Sequence, residues 1–347
     1  MTDFYRGKKV LVTGHTGFKG TWLTKILIDA GAEVLGYSRC SEKELSLFKL
    51  SGVEKQIVHI KGNVEEYKEL KAKFQEFQPE IIFHLAAQPI VRDSYINPLQ
   101  TYQTNVMGTV NVLECIRQTE SVRSAIIVTT DKVYRNDEKG HAFCEADILD
   151  GFDPYSNSKS CAELVTASYK RSFSNLPPIS TARAGNVIGG GDFAKDRIIP
   201  DCVRAVQRGE PIVIRNPYSI RPYQHVLEPL WAYMMIAERQ YGDPSLAGAY
   251  NIGPEDCDCL TTGELVSLFC MLWGEGTAWK TEKEQDAPHE ANYLKLDCSL
   301  MKKNFGWQPR WHLEECMKQT VRFYKNWLQC GDVEQEMDNE LREYQHS

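Results

Sequence analysis

The sequence predicts an α/β fold with a doubly wound parallel sheet and a smaller, interleaved C-terminal lobe. Apolar runs of strand length alternate with amphipathic segments of helix length over residues 1–183. A glycine-rich turn joins the first apolar run to the first helical segment. After Arg183 the texture changes to glycine-rich loops with short elements, which indicates a second lobe interleaved with the first.

The strands and helices are predicted in an alternating order that is typical of right-handed βαβ crossovers. The predicted strands are 10–12, 33–37, 56–60, 81–84, 125–128 and 179–183, and the predicted helices are 17–30, 65–76, 101–118 and 154–174. Segment 223–240 is expected to return to the sheet. One domain therefore comprises 1–183 with about 223–250, and the second comprises 184–222 and 251–330. Residues 331–347 are predicted to be a C-terminal tail, either a charged helix or a frayed end.

Composition excludes several classes of protein. The 347 residues carry a net charge of -7, and their Lys and Arg are dispersed, so no nucleic-acid partner is expected. The 11 cysteines include no C-x-x-C pair, which favours free thiols in a reducing compartment and predicts no metal. No apolar run reaches the length of a membrane span or a secretory signal. The expectation is a cytoplasmic protein without a membrane partner.

The turn GHTGFKG, at 14–20, follows the first predicted strand and opens the first predicted helix. Gly14 permits a tight turn, Gly17 lets the backbone approach a pyrophosphate at the helix N-terminus, and Gly20 lets helix and strand pack closely. The turn therefore predicts a dinucleotide site. The alternative is a glycine-rich connection that binds nothing.

The end of the second predicted strand lacks the acid that commonly binds the adenosine ribose. It reads Tyr37-Ser38-Arg39-Cys40. Arg39 suits a 2′-phosphate, but a loop arginine is more commonly a solvated surface charge. This motif therefore leaves NAD and NADP both open.

Two sets of proton-transferring side chains follow the fifth predicted strand. Tyr155 and Lys159 are four residues apart on a helix and share one face, so the ammonium is expected to lower the pKa of the phenol. Thr130 is placed to bond the same substrate oxygen, which suits hydride transfer at an alcohol. The alternative is that a Tyr and a Lys share this spacing by chance.

Asp131 and Lys132 form the second set, which suits removal of water from the neighbouring carbons. Adjacent opposite charges are also common in surface turns that end a strand, and this is the competing interpretation.

Long segments of the chain resemble the extended short-chain dehydrogenases/reductases, and most closely the nucleotide-sugar 4,6-dehydratases. The resemblance runs from Lys8 to about Trp327. It is carried by GHTGFKG (14–20), HLAAQPIVRDSY (84–95), TNVMGT (104–109), TTDKVY (129–134), DPYSNSKSCAE (153–163), RAGNVIGGGDFAKDRIIPD (183–201), IRNPYSIRPYQHVLEP (214–229) and PHEANYLKLDCS (288–299). Thymidine- and guanosine-diphosphate members usually carry an acid pair after the threonine. Asp131-Lys132 resembles the cytidine-diphosphate members.

The resemblance implies a Rossmann-type fold, a bound NAD and a lyase that converts CDP-glucose to CDP-4-keto-6-deoxyglucose for deoxysugars of surface polysaccharides. Tyr155, with Thr130 and Lys159, would take the proton of the 4-hydroxyl. Lys132, if neutral, would remove the C5 proton, and Asp131, if protonated, would protonate the departing 6-hydroxyl. A homodimer or tetramer formed through the helices at 101–118 and 154–174 is also implied.

The same reasoning predicts the binding residues. The cofactor is expected to contact Gly14, Thr16, Gly17, Phe18, Lys19, Gly20, Arg39, Asn63, Val64, Leu85, Ala86, Ala87, Thr104, Thr129, Tyr155 and Lys159. The nucleotide sugar is expected to contact Gln88, Arg92, Asn186, Lys195, Arg197 and Arg221, with His289 and Tyr293 closing the site. Asn63 stands where the family commonly has Asp. Asn105 is expected to order the catalytic helix instead of touching a ligand.

Three alternatives remain open at this stage. A nucleotide-sugar 4-epimerase or 4-ketoreductase would use Thr130, Tyr155 and Lys159 but has no use for Asp131-Lys132. A dehydratase that acts on another nucleotide sugar is the second alternative, because no residue reads cytosine by a derivable rule. A non-catalytic dinucleotide-binding sensor would turn over no sugar nucleotide.

Overall fold

Seven parallel strands form the central sheet of the computed structural model, which describes residues 2–39, 45–274, 276–282 and 292–347. The strands of this sheet are β1 (Lys9–Thr13), β2 (Glu33–Ser38), β3 (Val58–Lys61), β4 (Ile81–His84), β5 (Ser124–Val128), β6 (Ile179–Ala184) and β10 (Ala249–Ile252). Their order in space is β3-β2-β1-β4-β5-β6-β10. The predicted doubly wound parallel sheet is confirmed.

Helices pack on both faces of this sheet. Alternate residues of β1 separate accordingly, because Val10 and Val12 join one hydrophobic cluster and Leu11 joins the other. The helices are α1 (Thr2–Tyr5), α2 (Phe18–Asp29), α3 (Leu47–Leu50), α4 (Tyr67–Phe77), α5 (Val91–Ile96), α6 (Pro98–Tyr102), α7 (Gly108–Arg117), α8 (Pro154–Ser172), α9 (Ile198–Gln207), α10 (Leu227–Gly242), α11 (Thr262–Trp273), α12 (Ser299–Phe305), α13 (Leu313–Leu328) and α14 (Val333–His346). In the part of the chain that is described, none of them combines the length and apolarity that a membrane crossing requires.

The helix predicted at 101–118 is divided. Pro98 opens α6, a π-helical turn occupies Gln103–Met107, and α7 begins at Gly108. Such turns insert one extra residue and are common at functional sites. This one contains Asn105, whose side-chain amide donates to Ser158 on α8 at 2.9 Å.

The prediction that 223–240 returns to the sheet is wrong. Its first residues form the short strand β9 (Gln224–His225), which pairs with β7 (Val187–Ile188) outside the main sheet. Most of the remainder forms α10, which is buried on nearly all sides and bonded to β5 through the contact of Ser124 Oγ with Ala237 O at 2.9 Å. The last sheet strand is instead β10, which pairs with β6.

Segment 331–347, predicted as a tail, forms α14, which packs against α13 and is hydrogen-bonded to α10. Val333, Met337, Leu341 and Tyr344 are buried along one face. The hydroxyl of Tyr344 donates to Glu228 at 2.7 Å. The helical alternative is therefore correct, and the segment belongs to the core because its apolar residues recur at helical spacing.

The second lobe adds β8 (Ile212–Ile214) and β11 (Trp279–Thr281), which pair in parallel. The loops that follow β6 and β8 extend over the carboxyl ends of the main strands. In open α/β sheets, ligands bind at this edge.

Candidate active site

A cavity of about 1530 Å³ lies at the carboxyl ends of the main strands, beneath the second lobe. Ordinary ligand pockets measure roughly 300–1,000 Å³, so this one has room for more than one small molecule. Every residue predicted to contact the cofactor lines it. These are Gly14, Thr16, Gly17, Phe18, Lys19, Gly20, Arg39, Asn63, Val64, Leu85, Ala86, Ala87, Thr104, Thr129, Tyr155 and Lys159.

The glycine turn has the geometry that the sequence predicts. Gly14 has a positive φ of 76°, and a Cβ there would lie 2.7 Å from the backbone nitrogen of Ala86. A Cβ on Gly20 would lie 2.1 Å from the carbonyl oxygen of Gly14. A Cβ on Gly17 would meet that oxygen at 3.3 Å. The glycine turn therefore lets a ligand approach the protein backbone closely at the start of α2.

The end of β2 carries hydroxyls in place of the usual acid. The Oγ atoms of Ser38 and Thr16 lie 2.8 Å apart, and Arg39 is exposed at the cavity rim. Tyr37 is buried, and its hydroxyl donates to the carbonyl of Asn63 at 3.3 Å. The side chain of Asn63 accepts the backbone N–H of Glu65, which fixes the loop after β3.

Tyr155 lies in the first turn of α8, beside Thr130 at the end of β5. Burial raises the pKa of the phenol to about 12, while a hydrogen bond with Thr130 and the charge of Arg197 act in the opposite direction. The lowering of this pKa by Lys159 stays a prediction, because the charge of Lys159 is not among the main influences on the phenol. The ammonium of Lys159 is instead directed at the carbonyl of Val128, to which it donates at 3.0 Å.

Lys159 is itself strongly affected by its surroundings. Burial lowers its pKa to about 8, and the nearby charge of Glu163 opposes that effect. The side chain is 5% exposed, so its charge is poorly screened by solvent. Lys159 is therefore a cation whose charge is easily changed near neutral pH.

Asp131 and Lys132 form a contact of opposite charges at the end of β5. Nζ of Lys132 donates to Asp131 Oδ1 at 3.3 Å and to Asn186 Oδ1 at 3.0 Å. The hydroxyl of Thr130 also donates to Asp131 Oδ1, at 2.9 Å. Lys132 and Thr130 line the cavity. Asp131 is fully buried behind them, and its Oδ2 has no hydrogen-bond partner in the described structure.

Positive charge collects between the glycine turn and the second lobe. Lys19 faces Arg197, and burial together with that charge lowers the pKa of Lys19 to about 7. Arg197 is held by Asp192 at 2.9 Å. The predicted substrate residues Arg92, Asn186, Lys195, Arg197 and Arg221 all line the cavity. Guanidinium and ammonium groups in this arrangement suit a diphosphate.

The prediction that Gln88 lines the pocket is wrong. Its amide donates to Ile90 O and Thr101 Oγ1, both at 3.0 Å, and its Oε1 accepts the N–H of Ile90. The side chain is occupied by its own loop, which needs these bonds in the absence of regular structure. Asn105 meets the expectation made for it, since it bonds Ser158 of the catalytic helix and the backbone of Gln88.

The structure places Leu294, and not Tyr293, in the cavity wall. The backbone of Tyr293 is bridged to Ile220, and its carbonyl accepts from Asn136 at 2.8 Å. Strand-like pairing turns successive side chains to opposite sides, which brings the next residue to the cavity. His289 lies outside the described residues.

Sequence reasoning missed several charged residues of this cavity. Asp196 lies 3.8 Å from Arg92 and 3.7 Å from Arg215, and all three line the wall. Arg215 falls within a segment that carried the resemblance, but nothing in its spacing distinguishes it from a surface arginine. Glu163 is buried behind the wall and bonds Thr129. The sequence offers one indication of this role, because a residue four positions after Lys159 lies on the same helix face.

A second cluster of polar groups lies away from this cavity. Cys257, Asp258 and His312 bring potential metal ligands within 4.8 Å of one another, although the sequence predicted no metal. Asp258 accepts the N–H of Leu313 at the start of α13 and the ring nitrogen of His312 at 2.9 Å. These bonds are accounted for by capping of the helix. The described cysteines are free thiols, as predicted.

Comparison with known proteins places this geometry in a family. The pattern that defines the family described as GDP-mannose 4,6 dehydratase matches residues 11–320. The chain is 44% identical to the CDP-glucose 4,6-dehydratase of Salmonella typhimurium, over 95% of this chain and 94% of that protein. At lower identity it is similar to a probable dTDP-glucose 4,6-dehydratase of Sinorhizobium fredii, 26% identical over 91% of this chain and 92% of that protein.

Solved structures share the fold. An epimerase from Methanothermobacter thermautotrophicus superimposes with a TM-score of 0.83 at 24% identity, covering 94% of this chain and 95% of that one. The dTDP-glucose 4,6-dehydratase of Bacillus anthracis, solved in complex with NAD, gives a TM-score of 0.80 at 22% identity, over 92% and 97% of the two chains. Together with the match over residues 11–320, these comparisons show that the chain belongs to the GDP-mannose 4,6 dehydratase family.

Proposed function

We propose that this protein is an NAD-dependent lyase that converts CDP-glucose to CDP-4-keto-6-deoxyglucose and water. The observation that carries the proposal is the presence of two proton-transferring sets at one strand end. Tyr155, Thr130 and Lys159 form the first, and Lys132 with Asp131 forms the second. The identity of 44% to a CDP-glucose 4,6-dehydratase supports the choice of nucleotide and sugar.

The residues of the first domain fit a dinucleotide. The glycine turn leaves no room for side chains where a pyrophosphate would meet α2, and the small side chains of Ala86 and Ala87 border the same space. When bound, NAD would accept a hydride from the sugar and later return it. The exposed position of Arg39 does not commit the site to a 2′-phosphate, so we propose NAD.

The first set would open the reaction at the 4-hydroxyl. Tyr155 would take the hydroxyl proton, and Thr130 would hold the same oxygen in place. Because burial raises the pKa of Tyr155 to about 12, the phenolate needs positive charge nearby. Lys159 and Arg197 would supply that charge, and the cavity wall would exclude water.

The second set would remove water from C5 and C6. The oxidised C4 acidifies the hydrogen on C5. Lys132 would pass one ammonium proton to Asp131, 3.3 Å away, and its neutral Nζ would then accept the C5 proton. Asp131 would provide the proton for the departing 6-hydroxyl. Because Asp131 is buried behind Thr130 and Lys132, its proton must reach the sugar past one of these two groups. The assignment of Asp131 stays a prediction.

A 4-epimerase remains the second candidate, since three of the solved structures that share this fold are named UDP-glucose 4-epimerases. The contact between Lys132 and Asn186, at 3.0 Å, favours the dehydratase. This contact holds the amine of Lys132 in the cavity wall, and epimerisation does not require an amine there. A non-catalytic sensor would leave both sets without a task.

We also propose that the protein is a homodimer or tetramer. Large apolar side chains are exposed on adjacent elements: Ile96 by 74%, Leu99 by 71%, Met107 by 52% and Leu164 by 53%. These lie on α5, α6, the π turn and α8, which pack side by side. A second copy would cover them. Leu99→Glu with Met107→Glu should yield a monomer in sedimentation equilibrium, whereas Met271→Glu on α11, where the side chain is 66% exposed, should not.

Incubation with CDP-, GDP-, UDP- and dTDP-glucose in the presence of NAD tests the activity. We expect the alkali-induced absorbance of a 4-keto sugar with CDP-glucose. Substrate carrying deuterium at C4 should give product with deuterium at C6 of the same molecule. Turnover of another base alone would contradict the choice of substrate, and absence of the transfer would contradict the mechanism. The cytoplasmic location and the role in surface polysaccharides stay predictions.

A further inference from the structure

Glu163 lies on α8, one turn beyond Lys159, and is 3% exposed. Its carboxylate accepts three hydrogen bonds. Thr129 Oγ1 donates to Oε1 at 2.5 Å, and Thr181 Oγ1 and Arg183 Nη2 donate to Oε2 at 2.7 and 2.9 Å. Residues four apart share a helix face, so Tyr155, Lys159 and Glu163 form one row. The last residue of this row, Glu163, is thus hydrogen-bonded to the end of β5 and to β6.

These partners belong to the segments that carry the second proton-transferring set. Thr129 immediately precedes Thr130 at the end of β5. Arg183 lies on β6, three residues before Asn186, which accepts Nζ of Lys132. Glu163 is therefore hydrogen-bonded to two places near Lys132. One is the residue at the start of the turn that contains Lys132, and the other is the strand that leads to Asn186, the hydrogen-bond acceptor of Lys132.

Arg183 also reaches the far end of the turn. Its Nη1 donates to the hydroxyl of Tyr134 at 2.9 Å, and that hydroxyl donates to Asn251 on β10 at 2.6 Å. Tyr134 follows the 3₁₀ turn Asp131–Val133 directly. The pair of Glu163 and Arg183 thus bonds the residues on both sides of this turn.

Stability is a weak explanation for this arrangement. Burial of two charged groups costs desolvation free energy that largely offsets their attraction, and apolar residues of similar volume often serve a core equally well. We propose that Glu163 is a positioning residue of the dehydratase reaction, which holds the turn carrying Thr130, Asp131 and Lys132 against the helix carrying Tyr155 and Lys159. This inference rests on the proposed function.

Glu163 also acts on the charge of Lys159. The charged or titratable groups that face Lys159 are Glu163 on its own helix, His84 on β4 and Lys19 on α2. Among the residues that the structure describes, only Glu163 has a charge that opposes the lowering of the Lys159 pKa by burial. Loss of this negative charge would leave the ammonium less stable, and the ammonium is the form that favours a phenolate at Tyr155.

Glu163→Gln tests both effects, because it keeps the size of the side chain and removes its charge. We expect kcat to fall roughly 10-fold, short of the ~10²–10⁴-fold that removal of a proton-transferring group costs. KM should stay within about twofold, since Glu163 does not line the cavity. The alkaline limb of the kcat profile should move to lower pH. Glu163→Asp, which keeps the charge, should restore the position of that limb.

Glu228→Gln is the matched control. Glu228 is a fully buried glutamate that also accepts three hydrogen bonds, from the backbone of Arg310 and Trp311 and from Tyr344. It does not line the cavity. We expect this variant to lose thermal stability while the pH profile of kcat stays in place. An equal movement of the limb in both variants would overturn the proposal, as would an unchanged kcat and profile in Glu163→Gln.

Two further measurements separate the possible failures. The pKa of Lys159, read from ¹³Cε-lysine NMR with Lys159→Met for assignment, should be lower in Glu163→Gln than in the unmodified protein, whatever the substrate is. If CDP-glucose is not turned over but this pKa moves, the choice of substrate fails and the electrostatic effect stands. If Glu163→Gln does not fold, Thr129→Val should lower kcat severalfold and keep the limb, and an unchanged kcat would overturn the proposal.

Discussion

Nζ of Lys132 lies 3.3 Å from Oδ1 of Asp131, with the acid fully buried and the lysine at the cavity wall. A base and an acid are thus adjacent in the chain and in space, on the same strand end as the residues that would oxidise the sugar. In the proposed reaction the C5 proton would go to Lys132 at the wall, and a proton from the buried Asp131 would pass Thr130 or Lys132 to reach the leaving hydroxyl.

Lys132→Met should stop the loss of water and spare the first hydride transfer, because Tyr155, Thr130 and Lys159 are unchanged. We expect turnover to fall by about 10²–10⁴-fold while absorbance at 340 nm rises on addition of CDP-glucose. Stopped-flow spectroscopy would measure that rise, and the alkaline assay would measure product. Product formation at the unmodified rate would contradict the assignment.

Tyr155→Phe should abolish the first step instead. Without the phenol no group takes the 4-hydroxyl proton, so we expect neither product nor absorbance at 340 nm. Lys132→Met, measured with the same two assays, is the variant for comparison, because it should raise the absorbance at 340 nm without forming product. A rise at 340 nm in Tyr155→Phe would show that another group removes this proton.

The pH dependence of kcat should reflect Lys159. Burial lowers its pKa to about 8, so the ammonium is present below that pH and is lost above it. Because the ammonium favours the phenolate, we expect kcat to fall as pH rises through about 8. Lys159→Met should show a low kcat without this alkaline limb. An alkaline limb at the same pH in Lys159→Met would show that the ionisation of another group causes it.

The glycine turn allows a comparison between two neighbouring substitutions. Gly20→Ala would place a Cβ 2.1 Å from the carbonyl of Gly14, so α2 and β1 must separate, and we expect a loss of about 1–3 kcal/mol or more in the free energy of unfolding. Gly17→Ala places its Cβ 3.3 Å from the same atom. It should change stability less and weaken NAD binding more. Thermal unfolding and calorimetric titration with NAD measure the two effects, and the opposite order would be inconsistent with this packing.

Helix α14 should contribute to the stability of the fold, because its apolar residues belong to the larger hydrophobic cluster. Met337 is fully buried on its inner face, and Met337→Ala should lower the free energy of unfolding by about 2–5 kcal/mol. Gln335→Ala, on the exposed face of the same helix, should change it by less than about 0.5 kcal/mol. Denaturant unfolding measures both. Similar values for the two variants would indicate that the helix is not docked in solution.

Local patterns predicted most of the first domain correctly. Strand Ile81–His84 has the predicted bounds, and Gly14, Gly17 and Gly20 lie where the spacing placed them. These signals are local, because side-chain periodicity and glycine conformation depend on neighbours in the chain. Segment 223–240 was misassigned for the opposite reason. An apolar run does not distinguish a buried helix from a strand without knowledge of what packs around it.

The chemical kinds of the groups that we propose to react were determined by the sequence alone. The order Thr130, Asp131, Lys132, Tyr155 and Lys159 implies their meeting at one edge, because β5 ends where α8 begins to pack beside it. Tertiary structure alone decided their electrostatics and their access to the cavity. Burial raises the pKa of Tyr155 and lowers that of Lys159, it withdraws Asp131 from the wall, and the loop of Gln88 occupies that side chain. Desolvation and hydrogen-bond geometry depend on residues distant in the chain, so no local pattern contains them.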